Sequence, residues 1–166
     1  MAKREIERTV QPSLLDRLTD QDPRGLSDQR VSYAESVHNF KLSVQRDLEW
    51  LLNCRRTPDP APESYEELQS SVYHFGIIDV TSLGESADSR ARLLKQVDEA
   101  LAMFEPRLTN VNISIVDQEG ESRRRELRFV VEGTLRLDPT PEQVAFDTVL
   151  HFSTGEIDVK GAAAHA

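Results

Sequence analysis

Phe104–Ile115 reads FEPRLTNVNISI, and within these twelve residues the spacing of apolar side chains changes. Ahead of it Leu93, Leu94, Val97, Leu101 and Phe104 recur three and four apart, the period of one helix face. Beyond it Val111, Ile113 and Ile115 alternate with Asn112 and Ser114, the period of a strand. Pro106 stands at the change. It has no N–H and disfavours helical backbone in the residue before it, so the chain leaves its helix there. The stretch divides the chain into a helical part and a strand part. The expected fold class is α+β, with N-terminal helices packed on a C-terminal, mostly antiparallel sheet of three to four strands.

Toward the C-terminus the alternation continues. Gln118, Glu119 and Gly120 read as a hairpin turn, and Leu127, Phe129, Val131, Gly133, Leu135 and Leu137 as a second strand. After Pro139 and Pro141, Val144, Phe146, Thr148, Leu150 and Phe152 read as a third, and Thr154 with Gly155 turns the chain into a short last strand carrying Ile157 and Val159. Toward the N-terminus, Ser86 and Asp88 open the helix that ends at Phe104. Ser64 and Glu67 have the spacing of a capping box, which predicts a short helix stopping near Gly76. Ser32 and Glu35 repeat that spacing ahead of Val37, Phe40, Val44, Leu48, Leu51 and Leu52. This main helix runs to about Asn53, roughly 30 Å at 1.5 Å per residue, with Lys41, Gln45, Arg46 and Glu49 on its polar side. Pro58, Pro60 and Pro62 follow it as a stiff connection. Before it, Thr19–Ser27 reads as a surface connection, and Pro12–Leu18 as a short helix capped by Ser13. The expected organisation is an N-terminal arm over residues 1–29, one α+β domain over 30–160 and a disordered tail over 161–166.

Composition narrows the function. The 166 residues are 38% hydrophobic and 30% charged, enough apolar content for a core. No apolar run approaches 18 residues, so a soluble, cytoplasmic chain without direct membrane insertion is expected. The net charge of −9 repels a phosphate backbone, which argues against nucleic acid. Cys54 is the single cysteine, and His38, His74, His151 and His165 are scattered without ligand spacing, so neither a disulfide nor a metal is expected. Glycine-rich phosphate loops and Gly-x-Ser-x-Gly elbows are lacking, and no cofactor or small-molecule substrate is expected. Asp47 and Glu49, two apart on a helix, do not share a face as a glycosidase pair would need. Arg123, Arg124 and Arg125, with Arg128 beyond, lie among Glu119, Glu121 and Glu126, the pattern of a solvated hairpin tip; a docking patch for an acidic protein is the other reading. Glu105 and Arg107 flank the proline at the end of the last helix. Both are expected at the surface, bonding each other, a helix end or a partner.

Several segments, taken together, resemble one family. Pro12–Leu18 (PSLLDRL), Arg46–Asn53 (RDLEWLLN), Ser71–Asp79 (SVYHFGIID), Phe104–Leu108 (FEPRL) and Phe146–Thr148 are similar in order and spacing to the TssE family, baseplate subunits of the bacterial type VI secretion system. That family is in turn similar to a wedge protein of contractile-phage baseplates, often labelled lysozyme-like although regarded as structural. The resemblance implies a non-enzymatic subunit at the cytoplasmic side of the inner membrane. Glu105, Pro106 and Arg107 would dock on the wedge core bundle of TssF and TssG, and the sheet would join the first sheath ring of TssB and TssC. Apart from the resemblance, Leu14, Leu15 and Leu18 on the arm read either as a further partner anchor or as side chains that pack back on the domain. The alternatives are a peptidoglycan-cleaving, lysozyme-like glycosidase and a free adaptor binding an acidic protein through Arg123–Arg125. The chain departs from the family where relatives carry Leu-Asn-Tyr-Gly and then Leu-Pro-Asp. Here Tyr73, His74, Phe75 and Gly76 precede Ile77, Ile78 and Asp79.

Overall fold

The computed structural model describes residues 9–19, 31–59, 62, 64–80, 86–116 and 126–161. They form helices in the N-terminal part and a four-stranded antiparallel sheet at the C-terminal end, the α+β class that the change of period implies. The chain divides into two compact units, residues 1–44 and 45–166, and the division falls inside the long second helix.

In the first unit, α1 (Leu14–Leu18) is one short helix. The Ser13 hydroxyl accepts the Asp16 N–H at 3.2 Å and donates to the Asp16 carboxylate at 2.6 Å, so an otherwise orphaned first-turn donor is satisfied. α2 (Tyr33–Asn53) starts where the sequence places it, the Ser32 hydroxyl accepting the Glu35 N–H at 3.2 Å. Ser36 and Ser43 are buried on this helix and bond back to the Tyr33 and Phe40 carbonyls at 2.7 and 2.9 Å, which satisfies their hydroxyls without a partner from elsewhere. The Val10 N–H donates to Ser36 Oγ at 3.1 Å and ties the extended chain before α1 to α2.

In the second unit, Leu48, Leu51 and Leu52 of α2 are buried. Beyond it the single short helix expected up to Gly76 is broken in two. α3 is only Glu66–Gln69, entered through Tyr65 with no side-chain cap, and a 3₁₀ turn follows at Val72–His74. Ser71, rather than Ser64, supplies a capping hydroxyl, accepting the Tyr73 N–H at 3.2 Å. Gly76 then has φ +102°, and a Cβ there would lie 2.3 Å from the Cys54 carbonyl oxygen. Ile77 N–H reaches that same carbonyl at 3.0 Å, and Arg56 N–H reaches the Ile77 carbonyl at 2.7 Å. The segment therefore closes on the end of α2, and only glycine permits the approach. α4 (Ala87–Phe104) is capped by Ser86, whose hydroxyl accepts the Ser89 N–H at 3.1 Å, and buries Leu93, Val97, Ala100 and Leu101.

The strands are β1 (Leu108–Ile115), β2 (Glu126–Leu135), β3 (Glu142–His151) and β4 (Ile157–Gly161), in spatial order β1-β2-β3-β4. Directly opposed pairs share a face. Leu127 with Leu150, Val131 with Phe146, and Leu150 with Ile157 set one buried face, and Phe129, Thr148 and Val159 line it too. Each large aliphatic or aromatic side chain so buried contributes about 1.5–3 kcal/mol relative to exposure. β3 ends at His151, so Phe152 lies outside it: Gly155 N–H bonds the His151 carbonyl at 2.8 Å and closes a turn there. Leu137, two residues past the end of β2, is buried nonetheless. β1 departs most from expectation. Val111 and Ile113 are only half-buried and Ile115 is 43% exposed, because β1 lies at the edge of the sheet, with a strand neighbour on one side only among the described residues. Its register slips between Thr109 and Asn112, with Asn110 at φ +52°, a bulge in the backbone region that asparagine tolerates.

Candidate functional site

The corner between α4 and β1 is built by Glu105, Pro106 and Arg107. Glu105 N–H makes the last helical bond, to the Leu101 carbonyl at 2.9 Å, and the Leu108 N–H returns to the Glu105 carbonyl at 3.1 Å. Four residues thus make a turn with proline second, the position where its fixed φ fits and its missing N–H costs nothing. The Arg107 carbonyl accepts the Arg136 N–H at 2.9 Å, which fastens the corner to the chain leaving β2.

The two charges point inward. Glu105 is 3% exposed, which corrects the surface position expected for it. Arg107 grips both carboxylate oxygens of Glu105 through Nε and Nη2, and its backbone N–H adds a contact to Oε1 at 3.3 Å. Nη2 also donates to Asp47 Oδ2 at 2.8 Å, and Asp47 Oδ1 accepts from Arg46 at 2.8 and 3.0 Å. The result is an alternating chain Glu105, Arg107, Asp47, Arg46 that joins the corner to α2. The side chains of Arg107 and Asp47 are 23% and 22% exposed. Burial by itself would lower the pKa of Arg107; the hydrogen bonds and charge of Glu105, then those of Asp47, outweigh it and hold the guanidinium above the ordinary arginine value. What the corner offers to solvent is Pro106, the outer side of Arg107 and an open depression lined by these two with Arg136, Leu137 and Asp138.

The other residues singled out from sequence fall elsewhere. Leu14, Leu15 and Leu18 lie together on α1, and Leu14 and Leu18 are 70% and 76% exposed. Arg123–Arg125 and His165 lie outside the described residues. His74 is buried, and its Nε2 has no hydrogen-bond partner among the described residues. His151 bonds Asp158 at 3.1 Å. Sequence reasoning missed Asp47 as a member of the corner and placed Gln45 on a solvated helix face. Gln45 Nε2 in fact donates to the Val159 carbonyl at 2.9 Å, and Asn53 bonds both the N–H and the carbonyl of Ile157, at 2.9 and 2.7 Å. The spacing of Gln45, Glu49 and Asn53 was the available signal, since it puts two amides on one stripe beside the buried leucines.

Fold and corner together define an α+β module whose charged motif is a rigid internal clamp that shapes the surface around it. The family described as Baseplate wedge protein gp25 matches residues 38–140, more than half of the chain, and the chain belongs to that family. TssE is the homologue of gp25, so the resemblance drawn from the sequence motifs agrees with this assignment. Membership gives the chain a structural role in a baseplate. Neither the curated proteins nor the solved structures gave a match.

Proposed function

We propose that this chain is the TssE-type subunit of a type VI secretion baseplate, docking on the TssF–TssG core bundle and giving the sheath proteins TssB and TssC their starting surface. The observation that carries the proposal is the family match, which spans most of α2, all of α4, the corner and the first two strands. The corner supports it in a particular way. Because Glu105 is occupied by Arg107, the docking surface consists of Pro106, Arg107, Arg136 and Asp138 around the depression that the buried Leu137 floors, with the Glu105 carboxylate acting from behind to hold the arginine in place. The exposed leucines of α1 are a second contact, of the kind a short helix makes in an apolar groove. The work is done in the cytoplasm, at the inner face of the membrane, and needs no cofactor. No helix among the described residues is long and apolar enough to cross a membrane.

The glycosidase alternative needs a carboxylic acid free to protonate a leaving group. Glu105 has both oxygens engaged by a guanidinium, which supports the structural reading over the enzymatic one. The test is co-purification of the tagged chain with TssF and TssG, comparing wild type with Pro106→Ala plus Arg136→Glu, two exposed changes that leave the clamp intact. Retention of both partners by wild type and their loss from the folded variant is the expected result. Wild type that captures neither partner overturns the proposal, and clearing of peptidoglycan in a zymogram would put the enzyme in its place.

A further inference from the structure

Within the second unit, the end of α2 turns two different flanks to its surroundings. Gln45 and Asn53 face β4, where they bond Val159 and Ile157. Asp47 faces the corner and reaches Arg107 at 2.8 Å. Trp50 follows Asp47 by three residues and Arg46 by four, so these side chains share one stripe of the helix. Helical side chains lean toward the N-terminus, and the indole therefore covers the turn that carries Arg46 and Asp47. It belongs to the single tryptophan of the chain and is 61% exposed. No described residue accepts its N–H.

Two further rings border the same place. Phe104 ends α4 next to Glu105, and Phe75 meets it edge to face with ring centroids 5.2 Å apart. Both are half-buried. Phe75 is held there through its neighbours: Gly76 packs on the Cys54 carbonyl, and Ile77 N–H bonds that carbonyl at 3.0 Å. Cys54 N–H in turn donates to the Trp50 carbonyl at 3.1 Å, one helical turn back. Trp50, Phe75, Phe104 and Pro106, from three separate segments, thus stand around the clamp of Glu105, Arg107 and Asp47. A single exposed apolar side chain is ordinary on a protein surface. A tryptophan beside two half-open phenylalanines, a proline and two arginines has instead the composition of an interface centre, where aromatic residues and arginine are enriched.

From this placement we infer that Trp50 is the anchor of the docking surface, the side chain that a pocket of the TssF–TssG bundle covers. The inference rests on the proposed function and adds to it the residue that carries the affinity. The occupant follows from continuity, since the stripe of α2 that bears Trp50 runs into the corner to which that function gives the bundle. The clamp explains why the affinity lies beside it. Glu105 is engaged by Arg107, and Asp47 by Arg107 and Arg46, so these charges already have partners within the chain and gain little from a second pairing. The indole has its full apolar area still to bury and few rotamers to lose. The pocket that receives it must be apolar, with a hydrogen-bond acceptor at its edge for the indole N–H.

The experiment uses the full chain with TssF–TssG. Trp50→Ala should unfold in urea at the wild-type midpoint, because the ring is exposed, yet bind TssF–TssG at least about thirtyfold more weakly, the loss of an interface hot spot. Trp50→Phe keeps an aromatic ring and should bind more tightly than the alanine variant. In the otherwise unchanged chain, hydroxytryptophan in place of Trp50 is excited apart from the tryptophans of the partners. Its fluorescence should be quenched readily by acrylamide in the free chain and several-fold less with TssF–TssG bound, as water is excluded around an anchor. That second measurement decides the matter if Trp50→Ala fails to fold. Capture by wild type with equal affinity for folded Trp50→Ala, or with the ring still open to acrylamide, overturns the anchor and leaves the proposed function standing. No capture by wild type overturns the proposed function and this inference with it. A ring already shielded in the free chain would assign it to a contact within the chain or between copies, and overturn the bundle as its occupant.

Discussion

Replacing Arg107 by alanine should cost more stability than replacing Glu105, although the two form one ion pair. Arg107→Ala leaves a carboxylate that is 3% exposed, with only the residue 107 backbone N–H at 3.3 Å, among the described residues, still directed at it. Removing one partner of a buried pair costs about 3–5 kcal/mol, because the other charge is stranded. Glu105→Ala leaves a guanidinium that still reaches Asp47 at 2.8 Å and is 23% exposed, so its loss is nearer that of a charged hydrogen bond, about 1.5–3 kcal/mol. The double variant removes both charges and should fall short of the sum by about 1–3 kcal/mol. Urea unfolding followed by circular dichroism measures all three. With a slope of about 2 kcal/mol per molar, Arg107→Ala should lower the midpoint by about 1.5 M or more and Glu105→Ala by about 1 M. Equal losses from the two single variants, or strict additivity in the double, would refute the buried clamp. The same asymmetry makes the Glu105, Arg107 double variant a poor reporter of docking, since it disturbs the corner as well as its surface.

Other consequences are open to test. Gly76→Ala should cost about 3 kcal/mol or more, since the added Cβ meets the Cys54 carbonyl at 2.3 Å and φ is +102°; an unchanged thermal midpoint would contradict that packing. Asn53→Ala strips two bonds from β4 and should cost about 1–3 kcal/mol while speeding exchange of the Ile157 amide. Serine at Leu14, Leu15 and Leu18 together should change stability by less than about 0.5 kcal/mol, these side chains being exposed, but should weaken capture of TssF and TssG. The raised pKa of Arg107 fixes the sign of one pH effect: stability from a cation whose pKa rises on folding is complete below the ordinary value and is lost only as pH climbs through the raised one. The Glu105–Arg107 coupling from the double-variant cycle should therefore be equal at pH 7 and pH 10.

Much of the fold was legible because its causes are local. Ser13, Ser32 and Ser86 cap the helices that their spacing marks, and the change of period at Pro106 divides helix from strand where the corner lies. Ser64 misled, because a capping-box spacing does not say which residue the chain turns on, and Ser71 holds that place in a turn too short to show a period. The corner was half legible. Glu105 and Arg107 are two apart across a proline, close enough for their pairing to be expected, but whether the pair faces water or protein is a matter of what packs on it.

By itself, then, the sequence determined the class of the fold, the buried face of β2, β3 and β4, the glycine and proline at the bends and the family, since these follow from neighbours along the chain. Tertiary structure alone decided that Asp47, sixty residues away, completes the clamp on Arg107. It also decided that Gln45 and Asn53, more than a hundred residues from their partners, reach the outer side of β4. The physical reason is common to both. A side chain's hydrogen-bonding capacity is written in its chemistry, whereas the group that meets it across the fold is fixed only when the apolar faces of α2, α4 and the sheet have come together.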